Sequence, residues 1–189
     1  MVFLLSSLLI NGFLKVALAS ENILHGFVIR QESFETQGVL VSRPNPSDAQ
    51  IFDLITVNNI HSLEDYSQWL KRNIKYRPDG PQDTWATPIE LLHKRSGDCE
   101  DYTFLNVAVL KVLGYHPHFL ALGRPGNFHA ICLFKENDYY VWFDNTELKR
   151  TKTKTMMEFA QLIVQNYNYS SLHELDPRTQ KWQLLFKKS

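Results

Sequence analysis

The stretch that decides the fold reads Ser96-Gly97-Asp98-Cys99-Glu100-Asp101-Tyr102. Beyond it, apolar residues recur at helical spacing: Leu105, Ala108, Val109 and Val112. Because Asp98 is a suitable N-cap, the pattern predicts a buried helix with Cys99 in its first turn. Unpaired backbone N–H groups and the helix dipole favour a thiolate there, and the thiolate is the nucleophilic form. Cys99 is therefore a candidate nucleophile.

Length and composition indicate one globular domain with a real core, since the chain has 189 residues of which 44% are hydrophobic. Twenty basic and twenty acidic residues give a net charge of zero, so no excess charge points to nucleic acid as a partner. The two cysteines are too few for a disulfide scaffold. A local site must therefore carry the function.

The N-terminus resembles a secretory leader. Residues 2–14 are mostly apolar and are followed by Ala17-Leu18-Ala19, a small-x-small cleavage pattern. We predict a signal peptide at residues 1–19, export of the chain, and a single domain at residues 20–189. A short membrane anchor and a buried N-terminal helix are the alternatives. A permanent span is the weaker of these, because the apolar run falls short of the roughly 20 residues that cross a bilayer.

The remaining pattern predicts an α+β domain, with helices preceding an antiparallel sheet. Helices are predicted at residues 47–57, 62–76 and 156–167, the second starting at a near capping box of Ser62 and Asp65. Strands are predicted at residues 119–122, 128–135, 139–144 and 182–186. Residues 149–154, which are basic and rich in threonine, are predicted to be a solvated loop.

Two of these strands carry His129 and Asp144. If Glu136 and Asn137 form a two-residue hairpin loop, His129 faces Asp144 directly on one side of the sheet. Their Cβ atoms would then be about 5 Å apart, close enough for the carboxylate to orient the imidazole. A loop one residue longer would place them on opposite faces. We therefore predict a functional site formed by Cys99, His129 and Asp144. The alternative is that His129 is a core residue and Asp144 a surface residue.

The second cysteine, Cys132, follows His129 by three positions. On a regular strand it therefore points to the opposite face, as a small core residue. The same alternation argues against a disulfide with Cys99 and against a zinc site built from Cys99, Cys132 and His129.

Several motifs together resemble the bacterial transglutaminase-like cysteine proteinase family. They are residues 83–92 (DTWATPIELL), residues 96–102, residues 110–115 (LKVLGY), His129-Ala130 and Phe143-Asp144-Asn145. The resemblance covers about residues 60–146. It implies a papain-like core, a Cys99–His129–Asp144 triad, and a periplasmic protease that acts on protein or peptide substrates. Some relatives release large surface adhesins. The same triad would also support transglutaminase-type acyl transfer, and a non-catalytic peptide-binding domain is a further alternative.

Acidic residues surround the candidate nucleophile. Asp98, Glu100 and Asp101 should raise the pKa of the thiol and oppose thiolate formation. Either these carboxylates cap the helix and point away, or they hold Ca²⁺, which prefers clustered oxygen ligands. The resemblance implies the second option, with Asp98 and Glu100 as calcium ligands. No other cofactor is required for the chemistry.

Overall fold

The computed structural model describes residues 22–24, 27–29, 46–176 and 179–188. The helices are α1 (Pro46–Val57), α2 (Leu63–Asn73), α3 (Pro88–Lys94), α4 (Cys99–Val112) and α5 (Met156–Asn166). The predicted signal peptide at residues 1–19 lies outside the described residues. In the described part of the chain, none of the helices combines the length and apolarity needed to cross a bilayer.

The strands of the described residues form three sheets. The first pairs β1 (Asn22–Leu24) with β2 (Phe27–Ile29), and the second pairs β3 (Lys75–Tyr76) with β4 (Ser96–Gly97) in parallel. The main sheet contains the other strands: β5 (His118–Arg124), β6 (Asn127–Glu136), β7 (Tyr139–Asp144), β8 (Glu147–Arg150), β9 (Ser171–Asp176) and β10 (Lys181–Lys187). Its order is β10-β9-β5-β6-β7-β8, and every neighbouring pair is antiparallel.

Apolar side chains alternate along the central strands and supply a core on each face. On one face Cys132, Phe134 and Phe143 pack with the buried sides of α1, α2, α3 and α4. On the other, Ile131, Leu133 and Trp142 pack with Phe159 of α5. The predicted α+β class, with helices packed on an antiparallel sheet, is confirmed.

The second predicted helix begins as expected and ends early. Ser62 is its N-cap, and the Ser62 hydroxyl accepts a hydrogen bond from the Asp65 N–H at 3.0 Å. The helix ends at Asn73 because Ile74 is extended, and Lys75–Tyr76 then pairs with Ser96–Gly97. Residues 75–76 were predicted to be helical and are instead a strand that lies beside the approach to Cys99.

The hairpin joining β6 and β7 turns one residue later than predicted. Glu136 pairs with Tyr139, and the turn residues Asn137 and Asp138 have φ of 50° and 67°, as a tight two-residue hairpin requires. The predicted pairing of Lys135 with Asp138, and of His129 directly with Asp144, is therefore wrong. A shift of the turn by one residue moves each cross-strand partner by two positions, so the face is preserved.

The predicted solvated loop at residues 149–154 is also corrected in part. Lys149 and Arg150 belong to β8, where Lys149 pairs with Trp142 and Arg150 with Val141. β8 lies at the edge of the sheet, where one side of the strand remains exposed to solvent and can carry charged residues. These charged residues are the reason that the sequence pattern predicted a loop.

Candidate active site

Cys99 is the first residue of α4, and a tightly packed approach holds it there. Asp98 is the N-cap, and its backbone N–H donates to the Asp101 carboxylate at 3.4 Å. The same carboxylate accepts from the Ala86 N–H at 2.7 Å, which ties the helix start to the loop before α3. Gly97 allows this contact, since a Cβ there would lie 2.3 Å from Asp101 Oδ2. The predicted N-cap and helix start are confirmed.

His129 and Asp144 meet despite the changed register. Their side chains are joined by a contact of 2.7 Å between His129 Nε2 and Asp144 Oδ1, and both are largely shielded from solvent. An ionised carboxylate can only accept, so the Nε2 nitrogen carries the proton and Nδ1 is left as the basic nitrogen. The structure thus brings together two of the three predicted site residues through a direct hydrogen bond.

Lys149 also binds the Asp144 carboxylate. Lys149 Nζ lies 2.5 Å from Asp144 Oδ2 and packs over the rings of Trp142 and Tyr167 at 5.9 and 5.5 Å. Burial raises the pKa of Asp144, but the hydrogen bonds from His129 and Lys149 outweigh it and lower the pKa to about 2. The carboxylate therefore stays ionised beside the imidazole. Sequence reasoning missed this lysine because it placed residue 149 in a loop.

Tyr169 is a second residue that the sequence did not single out. Its ring stacks on the His129 imidazole with centroids 6.5 Å apart and planes 12° apart. The Arg124 guanidinium lies over the same tyrosine ring at 5.7 Å. Tyr169 follows α5 in an irregular segment, so neither periodicity nor a motif marks it. Stacking limits the rotation of the imidazole, and it complements the hydrogen bond to Asp144.

Substitution Lys149→Met tests the role of the lysine. The methionine keeps an apolar stem over Trp142 but removes the charge, so the pKa of Asp144 should rise from about 2 towards the normal aspartate value. The stability that Asp144 ionisation contributes is present above the normal aspartate pKa and is lost as pH falls towards about 2. In the variant this loss should occur at higher pH. NMR titration of the Asp144 carboxyl carbon measures the change, with exposed Lys152→Met as the matched control.

The thiol lies against the strand that carries His129. Cys99 packs with Phe119, Ala130 and Leu175, and its sulfur accepts a hydrogen bond from the Ala130 N–H, one residue after His129. The thiol also donates to Glu100 Oε2 at 3.1 Å. Within the described part of the chain, no hydrogen bond joins the Cys99 sulfur to the imidazole. The Cys99 sulfur thus contacts the residue that follows His129 on β6, and the thiol donates its hydrogen bond to a carboxylate.

Burial, together with two neighbouring carboxyl groups, holds the thiol in its protonated form. Burial raises the pKa of Cys99 most; the Ala130 N–H lowers it, and Glu100 and Asp98 raise it again, with a net pKa of about 12. The predicted preference for thiolate at the helix start is therefore outweighed in this structure. The predicted effect of the neighbouring carboxylates is in the expected direction.

The three acidic residues around Cys99 differ in what they do. Asp101 points away and accepts backbone N–H groups, as the capping alternative predicted. Asp98 is buried; its Oδ2 accepts from the Asp79 N–H at 3.2 Å, and its Oδ1 has no partner in the described structure. Glu100 has a pKa raised to about 8, first by burial and then by its contact with Asp83. Asp98 thus keeps one unsatisfied carboxylate oxygen beside the thiol, whereas Glu100 accepts a hydrogen bond from the thiol and contacts Asp83.

The Asp98 and Glu100 carboxyl groups are chemically suited to bind a hard cation, although the two alone do not form a complete metal site. An orphaned buried carboxylate oxygen and a carboxyl group held protonated by its neighbours are both relieved by a positive charge. Among the described residues, no group of three or more histidine, cysteine, aspartate or glutamate side chains has the arrangement of a metal centre.

A groove of about 400 Å³ opens above Cys99. Asp83, Asp98 and Glu100 line one part of it, and small residues Ala121 and Ala130 line another. Most of the remaining wall is aromatic, and its aromatic residues are Tyr76, Trp85, Phe119, Phe128 and Trp182. Such a combination of an apolar wall with a few polar groups is typical of a binding cleft.

Trp85 connects the two kinds of wall. Its ring packs with Phe119 and Trp182 at 6.2 and 6.3 Å, and its indole N–H donates to Asp83 at 3.2 Å. The side chain is 44% exposed, so it is a groove residue as well as a packing residue. Trp182 comes from β10, far along the chain from the motifs around Cys99, and no sequence pattern placed it here.

Cys132 lies where the alternation of β6 predicted it. It is fully buried in the core facing α4, and both Cys99 and Cys132 are free thiols. The expectation that Cys132 is a small core residue and not a disulfide partner is confirmed.

The solved structures that are similar to this chain share little sequence identity with it. The chain is similar to a candidate cysteine protease from Cytophaga hutchinsonii, with 14% identity, a TM-score of 0.44, and coverage of 76% of this chain and 53% of that one. It is also similar to calcium-bound LapG from Legionella pneumophila, with 13% identity, a TM-score of 0.47, and coverage of 76% and 78%. A second LapG structure covers 56% of this chain and 64% of LapG, with 16% identity and a TM-score of 0.40.

The chain thus spans only about half the length of the Cytophaga protein. No curated protein matches the sequence. A family model described as a transglutaminase-like domain matches residues 51–153, which is more than half of the chain and contains Cys99, His129 and Asp144. The chain therefore belongs to the transglutaminase-like domain family.

Proposed function

We propose that this protein is a cysteine protease that cleaves an exported protein through an acyl-enzyme on Cys99. The observation that carries the proposal is the thiol at the first residue of α4, packed against Ala130, the residue that follows His129 on β6, together with the 2.7 Å contact between His129 and Asp144. Nucleophile, base and orienting carboxylate are the three roles that acyl transfer requires.

The catalytic roles follow from which nitrogen of the His129 imidazole is free to accept a proton. Because His129 Nε2 is engaged by Asp144, Nδ1 takes the proton of the Cys99 thiol as the sulfur attacks the substrate carbonyl carbon. The tetrahedral intermediate collapses as the imidazolium returns that proton to the leaving amine, which leaves a thioester on Cys99. Water, deprotonated by the same nitrogen, then hydrolyses the thioester and restores the thiol. The backbone N–H of Cys99, at the helix start, is the candidate oxyanion donor.

A first alternative is acyl transfer to an amine, since only the nucleophile that attacks the thioester differs. The two reactions are distinguished by incubating the protein with one substrate protein and a labelled amine. Release of fragments supports the protease, and incorporation of the amine without fragments supports the transferase. A second alternative is a peptide-binding domain without catalysis. Failure of Cys99 to react with iodoacetamide across the pH range would favour it.

The test in cells compares surface-bound and released proteins between strains carrying the wild type and Cys99→Ala. A protease of this kind predicts a difference confined to one or a few exported proteins, a large surface adhesin among the candidates. An unchanged set of released proteins would contradict protease function. The expectation of an exported substrate depends on export of this chain, which we also propose, and on the signal peptide predicted at residues 1–19.

We further propose that Asp98 and Glu100 bind Ca²⁺. The support is the partnerless Asp98 Oδ1 and the raised pKa of Glu100, two features that a cation would relieve. Bound calcium would supply positive charge that offsets both carboxylates and so lowers the pKa of the neighbouring thiol. The residues of this chain would then bind the ion, while His129 and Asp144 handle the proton.

Calcium binding should be visible without any substrate. Adding Ca²⁺ to chelator-treated protein should raise the Tm by several degrees, because binding to the folded state alone stabilises it. Asp98→Asn and Glu100→Gln should each remove most of the rise, whereas exposed Asp53→Asn should leave it intact. Chelator should also abolish cleavage, and calcium alone should restore it. A Tm insensitive to calcium, with cleavage indifferent to chelator, would remove the site.

A further inference from the structure

A second cavity, of about 420 Å³, lies beside the Cys99 groove and is lined by positive charge. Its lining contains the following cations: Arg72, Lys75, Arg77, Lys94 and Arg95. No aspartate or glutamate is among the described residues that line it. In a chain whose net charge is zero, this is a pronounced separation of charge.

These cations are available to a ligand. All five are exposed, and within the described residues none forms an ion pair with a carboxylate at salt-bridge distance. Arg95 is the most constrained, since its guanidinium lies 5.7 Å over the Trp69 ring and donates to the Asn73 side chain at 3.3 Å. Stacking of this kind pre-organises the guanidinium and leaves donors free.

The position of the cavity ties it to the candidate active site. The cavity is built on the parallel pair β3 and β4, in which the Lys75 N–H donates to the Arg95 carbonyl and the Arg77 N–H to the Gly97 carbonyl. Ser96, which lines the cavity, precedes Cys99 by three residues, so their Cα atoms are at most about 11 Å apart. Tyr76 lines both the basic cavity and the Cys99 groove.

We propose that this basic cavity binds an acidic segment of the substrate polypeptide, a few residues away from the bond that is cut. An extended chain advances about 3.3 Å per residue, so about three residues span the roughly 11 Å between Ser96 and Cys99. The basic cavity attracts carboxylates, and no lysine or arginine is among the described residues that line the Cys99 groove, so the cavity sets the position of an acidic segment along the cleft. This inference rests on the proposed protease function, because it names the substrate of that same site.

Direct binding tests the idea independently of cleavage. The test uses the Cys99→Ala variant. The probes are three fluorescent peptides of equal length, each with an apolar segment followed by a flank. The flank consists of glutamates in the first peptide, glutamines in the second and lysines in the third. The expected order of affinity is glutamate, then glutamine, then lysine. Double variant Lys75→Gln/Arg77→Gln should weaken binding of the glutamate peptide by roughly 3- to 10-fold and leave the glutamine peptide unchanged. Added salt should reduce the preference.

A control of equal charge uses two exposed lysines that line neither the Cys99 groove nor the basic cavity. Lys152→Gln/Lys188→Gln removes two exposed cations and should leave all three affinities unchanged. Equal affinity for the three peptides in the starting protein, or no effect of the double variant at positions 75 and 77, would overturn the inference. Tighter binding of a single-stranded oligonucleotide, or of vesicles of anionic lipid, than of the glutamate peptide would overturn it too. If the wild-type protein cleaved no substrate, the proposed protease function would be refuted instead. Failure of the inference and failure of the proposed function are therefore distinguishable.

Discussion

Cys99→Ala should abolish cleavage of a substrate protein, with a loss in kcat of roughly 10⁴-fold or more. A loss of this size is expected because the acyl-enzyme cannot form without the sulfur, and His129 and Asp144 alone have no nucleophile to activate. The fold should be unaffected, since the thiol is partly exposed and the missing atom leaves only a small space. The measurement is fragment formation by purified protein, with Tm recorded in parallel.

Cys99→Ser is the informative control for this variant. A hydroxyl keeps the shape of the thiol but is a much weaker nucleophile at the same position, so the serine variant should bind substrate normally and turn over very slowly. If Cys99→Ala retained more than a tenth of the wild-type rate at unchanged stability, the chemistry would lie elsewhere in the groove, and the proposed role of Cys99 would be wrong.

Gly97→Ala should be strongly destabilising, by roughly 1–3 kcal/mol, because overpacking a tight contact forces backbone or side chains to move. A Cβ at position 97 would lie 2.3 Å from Asp101 Oδ2, 2.8 Å from Asp101 Cβ and 2.8 Å from Leu91 Cδ1. Neither neighbour can yield easily, since Asp101 holds the backbone of Ala86 and Leu91 is fully buried. Chemical denaturation monitored by the near-UV signal of the aromatic residues would give the change in the free energy of unfolding.

The matched control is Gly80→Ala, since a Cβ there meets nothing within 4 Å. It should leave stability unchanged within about 0.5 kcal/mol. Activity should fall further in Gly97→Ala than the folded fraction explains, because Gly97 lies two residues before Cys99 and a small displacement of the nucleophile slows attack. Equal stability of the two variants would mean that the approach to α4 can relax, and the tight packing would not hold Cys99 in place.

The sequence alone was sufficient for the start of α4 and for the face of β6 on which Cys132 lies, whereas it missed the strands β3 and β8. Hydrophobic spacing after residue 99 and a polar residue at position 98 define the start of a helix, because both signals depend only on local periodicity and capping. Alternation along β6 likewise separated Cys132 from His129 without any knowledge of the partner strands. These predictions succeeded since each rests on interactions among residues close in the chain.

What the tertiary structure decided was which distant groups meet, and with what charge. The one-residue shift of the hairpin turn, the Lys149 contact to Asp144 and the stacking of Tyr169 on His129 all depend on pairing between segments that local patterns do not couple. The pKa of Cys99, at about 12, is likewise a sum over burial, the Ala130 N–H and two carboxylates. Electrostatic and packing energies depend on distance in space, and only the folded chain sets those distances.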